Sequence, residues 1–182
     1  MRLNKFLRAV TTLPAIFMMS VIFYFSSCEA DRSTEMSEYF SLEVLLKIGQ
    51  EIGMAFTSHR IWTAEEMVKF VQDLDYPVRK AAHLTEFAVL GITIVFALYF
   101  QKIRRKYIAR TAILIGVLYA ASDEFHQLFV KGRSCQLFDV GVDSLGVCIG
   151  VGLMLAILNA TIGKKYKGYE LVEDFNNDIR TE

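Results

Sequence analysis

His83 with Glu86, Asp123 with His126, and Asp139 with Asp143 form three short groups of ionisable side chains, each spaced three or four residues apart. On a helix that spacing puts both members of a pair on one face. Imidazole and carboxylate are groups that move protons near neutral pH. They are also the donors that hold divalent ions such as zinc or manganese, and His83, His126 and Asp123 are the first candidate ligands. Arg79, Arg133 and Gln127 add donors suited to an anionic substrate group. The setting gives these residues weight. Ser122-Asp123-Glu124-Phe125-His126-Gln127 follows directly on the apolar run from Ile113 to Ala121. Ionisable groups at membrane depth are expensive and tend to be kept for a function.

The chain that must position them has 182 residues, 53% of them hydrophobic, and a mean hydropathy of +0.33. That is too apolar for an ordinary soluble domain and fits a small protein that crosses a lipid bilayer several times. A crossing helix needs roughly 20 residues. Four stretches match, at about 9–25, 81–100, 110–130 and 140–160. In lipid the backbone satisfies its own hydrogen bonds, so each is expected to be helical. The expected fold is all-α: an integral membrane four-helix bundle over residues 1–167, with a polar, poorly ordered cytoplasmic tail at 168–182.

Charge gives the orientation. Basic residues gather at the N-terminus (Arg2, Lys5, Arg8), at 102–110 (Lys102, Arg104, Arg105, Lys106, Arg110) and after the last apolar run (Lys164, Lys165, Lys167). Cytoplasmic ends carry excess Lys and Arg. With four crossings these segments share one side, so both termini of a multi-pass plasma-membrane protein are expected in the cytoplasm. Arg79 and Lys80 run against this pattern. The 28–80 loop and the 131–139 loop are then outside, and the three ionisable groups share a depth near the outer surface. The long loop is expected to carry short amphipathic helices. Thr63-Ala64-Glu65-Glu66 is a capping box opening one that ends near Leu74. Residues 35–56 have an apolar pattern that suits either the membrane surface or a lid on the bundle. Pro77 marks a turn into the second span.

Plainer roles compete for several residues. Arg79 with Glu86, and Arg133 with Asp139, are candidate structural ion pairs. Glu124 is expected to point away from Asp123 and His126. His59 reads as an exposed loop residue and Trp62 as an interface anchor. Gly146 and Gly150 continue the stripe of Asp139 and Asp143, and such spacing admits a neighbouring helix closely. Cys28, Cys135 and Cys148 have no zinc-binding spacing, and a Cys28–Cys135 disulfide stays open. Residues 1–27 have the outline of a lipoprotein signal, but Phe25 is bulky where an aliphatic residue is expected. No basic face with interleaved aromatics points to nucleic acid.

The stretch from Arg79 to Gly91, RKAAHLTEFAVLG, resembles the first signature of VanZ-like membrane proteins. The stretch from Ser122 to Arg133, followed by Asp139-Val140 and Gly146, resembles the second, which is the more specific. Ser26-Ser27 at the end of the first span is similar too. The resemblance covers most of residues 15–155. Two departures stand out: Lys131 replaces the proline usual before the glycine–arginine pair, and Asp143 stands where many members have asparagine. The family takes its name from a protein associated with teicoplanin resistance, and its biochemical activity is not established. The resemblance implies a bacterial plasma-membrane protein linked to the cell envelope.

Two mechanisms are open at this point. In one, the histidines and carboxylates bind or modify a lipid-linked envelope precursor or a glycopeptide, as acid, base or metal ligands of a hydrolase or transferase. In the other, the same cluster serves a non-catalytic binder or lipid transporter, for which a homodimer is expected; Gly146, Gly150 and Gly152 offer a dimer face, and packing within one protomer explains them equally. Both need one topology. Single cysteines at positions 83 and 126 are expected to react with an impermeant reagent added from outside the cell; reaction from opposite faces overturns the arrangement.

Overall fold

The backbone's need to satisfy its own hydrogen bonds in an apolar medium is met by helix. The computed structural model describes residues 5–53, 64–101 and 103–180, and every regular element among them is a helix. The elements are α1 (Lys5–Ser26), α2 (Ala30–Gly53), α3 (Ala64–Tyr99), α4 (Arg105–Gln127) and α5 (Leu137–Arg180). Three segments are long and apolar enough to cross a membrane: Lys5–Ser26, Lys69–Tyr99 and Leu137–Thr161. Helix α4 has the length, but Lys106, Arg110, Asp123 and Glu124 crowd its ends. Of the four expected crossings, three therefore qualify on length and apolarity alone.

Helix α3 is the centre of the molecule and packs against all the others. Phe87, Leu90 and Val95 of α3 are fully buried with Ala112 and Ala120 of α4 and Val147 of α5, and Ile22 of α1 joins the same core. The opposite faces are apolar and exposed, including Phe17 and Phe23 on α1, Leu114 and Leu118 on α4, and Ile149 and Leu153 on α5. Exposed apolar surface on this scale belongs against lipid rather than water.

Several expectations are corrected. At ~1.5 Å per residue, the 36 residues of α3 reach about 54 Å, well beyond the roughly 30 Å of a hydrocarbon core. It runs straight through Pro77 instead of turning there. Proline removes one helical hydrogen bond, and the turn is braced by an ion pair across it, Arg79 Nη2 to Asp75 Oδ2 at 2.6 Å. Helix α2 has 24 residues, so the segment after α1 holds a long helix and not only short ones. It is tied to α3 by Ser37, which donates to Asp75, and by Arg79 Nη1, which donates to Thr34 Oγ1 at 3.4 Å. Helix α5 continues to Arg180 where a poorly ordered tail is expected. Thr63 of the capping box, His59 and Trp62 lie outside the described residues.

The α3–α5 contact is backbone to backbone. A Cβ at Gly146 would strike the carbonyl of Leu84, and one at Gly150 the carbonyl of Ala88. These two glycines are used within the chain, whereas Gly152 has nothing within 4 Å. Gly150→Ala is expected to lower stability by about 1–3 kcal/mol through overpacking. Gly152→Ala should be neutral or gain up to ~1 kcal/mol of helix propensity. Thermal unfolding in detergent compares the two.

Candidate functional site

The ends of α1 and α4, the start of α5 and the middle of α3 bring the polar residues together. Ser26 and Ser27 close α1, His83 and Glu86 lie on α3, Asp123 to Gln127 close α4, and Asp139 and Asp143 open α5. The α3–α5 contact at Gly146 sets the preceding turn of α5 beside His83, and His83 Nδ1 stands 3.6 Å from Asp143 Oδ1. Ser26, itself buried, donates its hydroxyl to Asp123 Oδ2 at 3.0 Å. Glu124 accepts from the Gln136 backbone N–H at 2.7 Å, just ahead of α5, where a helix N-terminus favours negative charge. Asp123, Glu124 and Asp143 are 3%, 1% and 1% exposed. Each keeps one carboxylate oxygen with no hydrogen-bond partner among the described residues. Unsatisfied buried groups are rare and call for an explanation.

The residues named from sequence divide. His83, Asp123 and Asp143 converge, with donor atoms within 4.8 Å of one another. His126 does not join them. Its ring stacks on Phe23 with centroids 4.5 Å apart, and its Nε2 lies 3.1 Å from Ser27 Oγ. The Ser27 hydroxyl already donates to the Phe23 carbonyl at 2.6 Å. A hydroxyl has one hydrogen to give, so Nε2 of His126 is the donor in that pair. Asp139 is paired with Lys80 instead of Arg133, and Arg79 with Asp75 instead of Glu86. Gln127 is buried and does not line the cleft that holds Arg79 and Arg133. Cys28 is buried, Cys135 is exposed, and both are free thiols.

Glu124 is the residue that sequence reasoning leaves out of the site: it points to a different side from Asp123, yet it is buried too. Neighbours on a helix point about 100° apart, so burial of both Asp123 and Glu124 needs cover on two sides. Cover comes from α1 at Ser26 and from the turn before α5 at Gln136. Nothing periodic signals that arrangement. Ser26 is also absent from the sequence-derived site, because its partner Asp123 is distant in the chain.

Beside the carboxylates lies a cleft of about 510 Å³ between α2, α3 and the end of α1. Phe25, Met36, Phe40 and Val78 form apolar walls; Arg79, His83, Glu86 and Arg133 supply its polar groups. Arg133 is delivered by a tight turn. Its N–H bonds the Val130 carbonyl at 3.1 Å, and Gly132 has φ +76°. A bond closing four residues with positive φ at the third marks a type II turn, whose second position favours proline. Lys131 occupies that position, so the departure from the family pattern leaves the turn intact. Arg133 Nε donates to the Cys28 carbonyl at 3.3 Å. Burial lowers the Arg133 pKa, and the nearby Arg79 charge lowers it further. Two like charges partly withdrawn from water make a place that an anion relieves.

Fold and site together define an all-helical membrane protein with a buried histidine–carboxylate cluster at one end of its helices. The family model VanZ/LLP1 matches residues 11–159, and the chain belongs to that family. No curated protein matches the chain, and no solved structure does.

Ser26→Ala removes the hydroxyl that satisfies Asp123. The expected loss is about 1–3 kcal/mol, the cost of a buried acceptor left unpaired. Ser20→Ala, whose hydroxyl bonds only the Ile16 carbonyl of its own helix, should be close to neutral in the same unfolding assay.

Proposed function

We infer that this VanZ/LLP1-family protein acts on the cell envelope by binding or modifying a lipid-linked, anionic molecule at the outer face of the plasma membrane, with teicoplanin-type glycopeptide resistance as the associated phenotype. The observation that carries this reading is the cleft. It joins apolar walls to a pair of arginines and then to His83 and Glu86. An amphiphile has that same division: hydrocarbon against Phe25, Met36 and Phe40, and a phosphate-type head against Arg79 and Arg133. Guanidinium is the side chain best matched to such a head. An apolar cavity with a few convergent polar groups is the usual form of a ligand site.

Orientation supports the same reading. Outward placement of this end follows from the basic N-terminus, 102–110 segment and 164–167 segment, with α4 as a fourth crossing and both chain ends in the cytoplasm. Envelope precursors and the glycopeptides that bind them meet on that outer face. The buried carboxylates beside the cleft favour a role that handles the head group chemically, with Glu86 within its walls as the group that moves a proton.

The test is binding of a polyprenyl diphosphate to the full-length chain in nanodiscs. Loss of one charged hydrogen-bond donor costs about 1.5–3 kcal/mol, so Arg133→Ala should weaken binding roughly 10-fold to 100-fold. Arg79→Ala should act in the same direction, while Lys131→Ala, exposed and outside the cleft, should not. Equal binding by wild type and the Arg79→Ala/Arg133→Ala double variant removes the basis of this reading.

A further inference from the structure

We propose that His83, Asp123 and Asp143 form a divalent-metal site, with zinc or manganese as the ion. Their donor atoms lie within 4.8 Å of one another, and His83 Nδ1 is 3.6 Å from Asp143 Oδ1. Ligands around a tetrahedral ion at roughly 2.1 Å stand about 3.4 Å apart. The His83–Asp143 pair is already near that separation, and the widest donor distance must close by roughly 1.4 Å.

The carboxylates themselves are the second, independent observation. Asp123 and Asp143 are 3% and 1% exposed, and Asp123 Oδ1 and Asp143 Oδ2 have no hydrogen-bond partner among the described residues. A buried carboxylate is stable when it is paired or holds a metal. Of the nearby cations, Lys80 is paired with Asp139 and Arg79 with Asp75. Among the described residues, no lysine or arginine forms an ion pair with Asp123 or Asp143. An ion at the centre of the triangle supplies the missing positive charge.

The surroundings have the form of a metal site's outer shell. Ser26 holds Asp123 Oδ2, which fixes the carboxylate and leaves its other oxygen free; such outer hydrogen bonds orient ligands. One nitrogen and two oxygen donors suit zinc or manganese. Three protein ligands would leave a coordination position open, and one of the three, His83, lines the cleft. His126 is outside the set because its Nε2 is engaged by Ser27 and its ring is stacked on Phe23. The proposal does not rest on the head-group reading, since metal content is measured with no lipid probe present.

The experiment loads the full-length protein in detergent with Zn²⁺ or Mn²⁺, removes free ion and measures metal by mass spectrometry. Wild type is expected to retain about one ion per chain, as a three-ligand site predicts. His83→Ala and Asp143→Leu should weaken binding by at least about 100-fold, the upper end for an outer-shell change alone. His126→Ala should keep the ion. Glu124→Gln, which alters a buried carboxylate outside the ligand set, controls for simple loss of folding. Wild-type Co²⁺ spectra should show nitrogen and oxygen coordination without thiolate charge transfer, and this holds even if a variant fails to fold. No retained metal in wild type overturns the proposal. Thiolate bands, or metal lost in His126→Ala but kept in Asp143→Leu, overturn it as well.

Discussion

Gly146 and Gly150 let α5 rest directly on the carbonyls of α3, and the polar end of the molecule depends on that contact. With side chains at these positions the two helices would stand farther apart. Asp143, one turn before Gly146, would then leave His83. The same close approach places Val147 against Gly91 and Gly116, with a Cβ at Gly116 meeting the Val147 side chain at 2.5 Å. Thus α3, α4 and α5 lock around one valine. The core below the site is tight because three helices have given up side chains where they meet.

Burial follows from that packing, and electrostatics follow from burial. Ser26 of α1 and the Gln136 N–H ahead of α5 each satisfy one oxygen of a carboxylate on α4. Each of these carboxylates is left half satisfied, and Asp143 Oδ2 also has no hydrogen-bond partner among the described residues. A stable core has little reason to bury three such groups at one end unless they serve chemistry there. The basic residues take a different role. Lys80 and Arg79 neutralise Asp139 and Asp75 at the rim, and the Arg79 and Arg133 guanidiniums reach the cleft. Acid at the floor and base at the rim give the site two distinct halves.

Much of the architecture is legible in one dimension. Apolar runs of bilayer length locate α1, the second half of α3, and α5. The spacing of Asp139, Asp143, Gly146 and Gly150 correctly reads as one inward stripe, because helical periodicity needs no partner to be recognised. The VanZ-like signatures likewise point to the family that the match over residues 11–159 shows. Pro77 is less legible, since a proline in sequence reads as a break. Only the Asp75–Arg79 pair across the turn reveals why the helix continues.

Sequence by itself therefore determined the helical class, the membrane setting and which faces of the helices carry polar groups, since these follow from composition and from periods of a few residues. Tertiary structure alone decided the partners. Asp143 rather than His126 meets His83, Glu124 turns inward, and Asp139 pairs with Lys80. The physical reason is that a helix face covers a wide arc. Which residue on that arc touches which neighbour depends on how closely and at what rotation two helices pack, and that is settled by backbone contacts between residues dozens of positions apart.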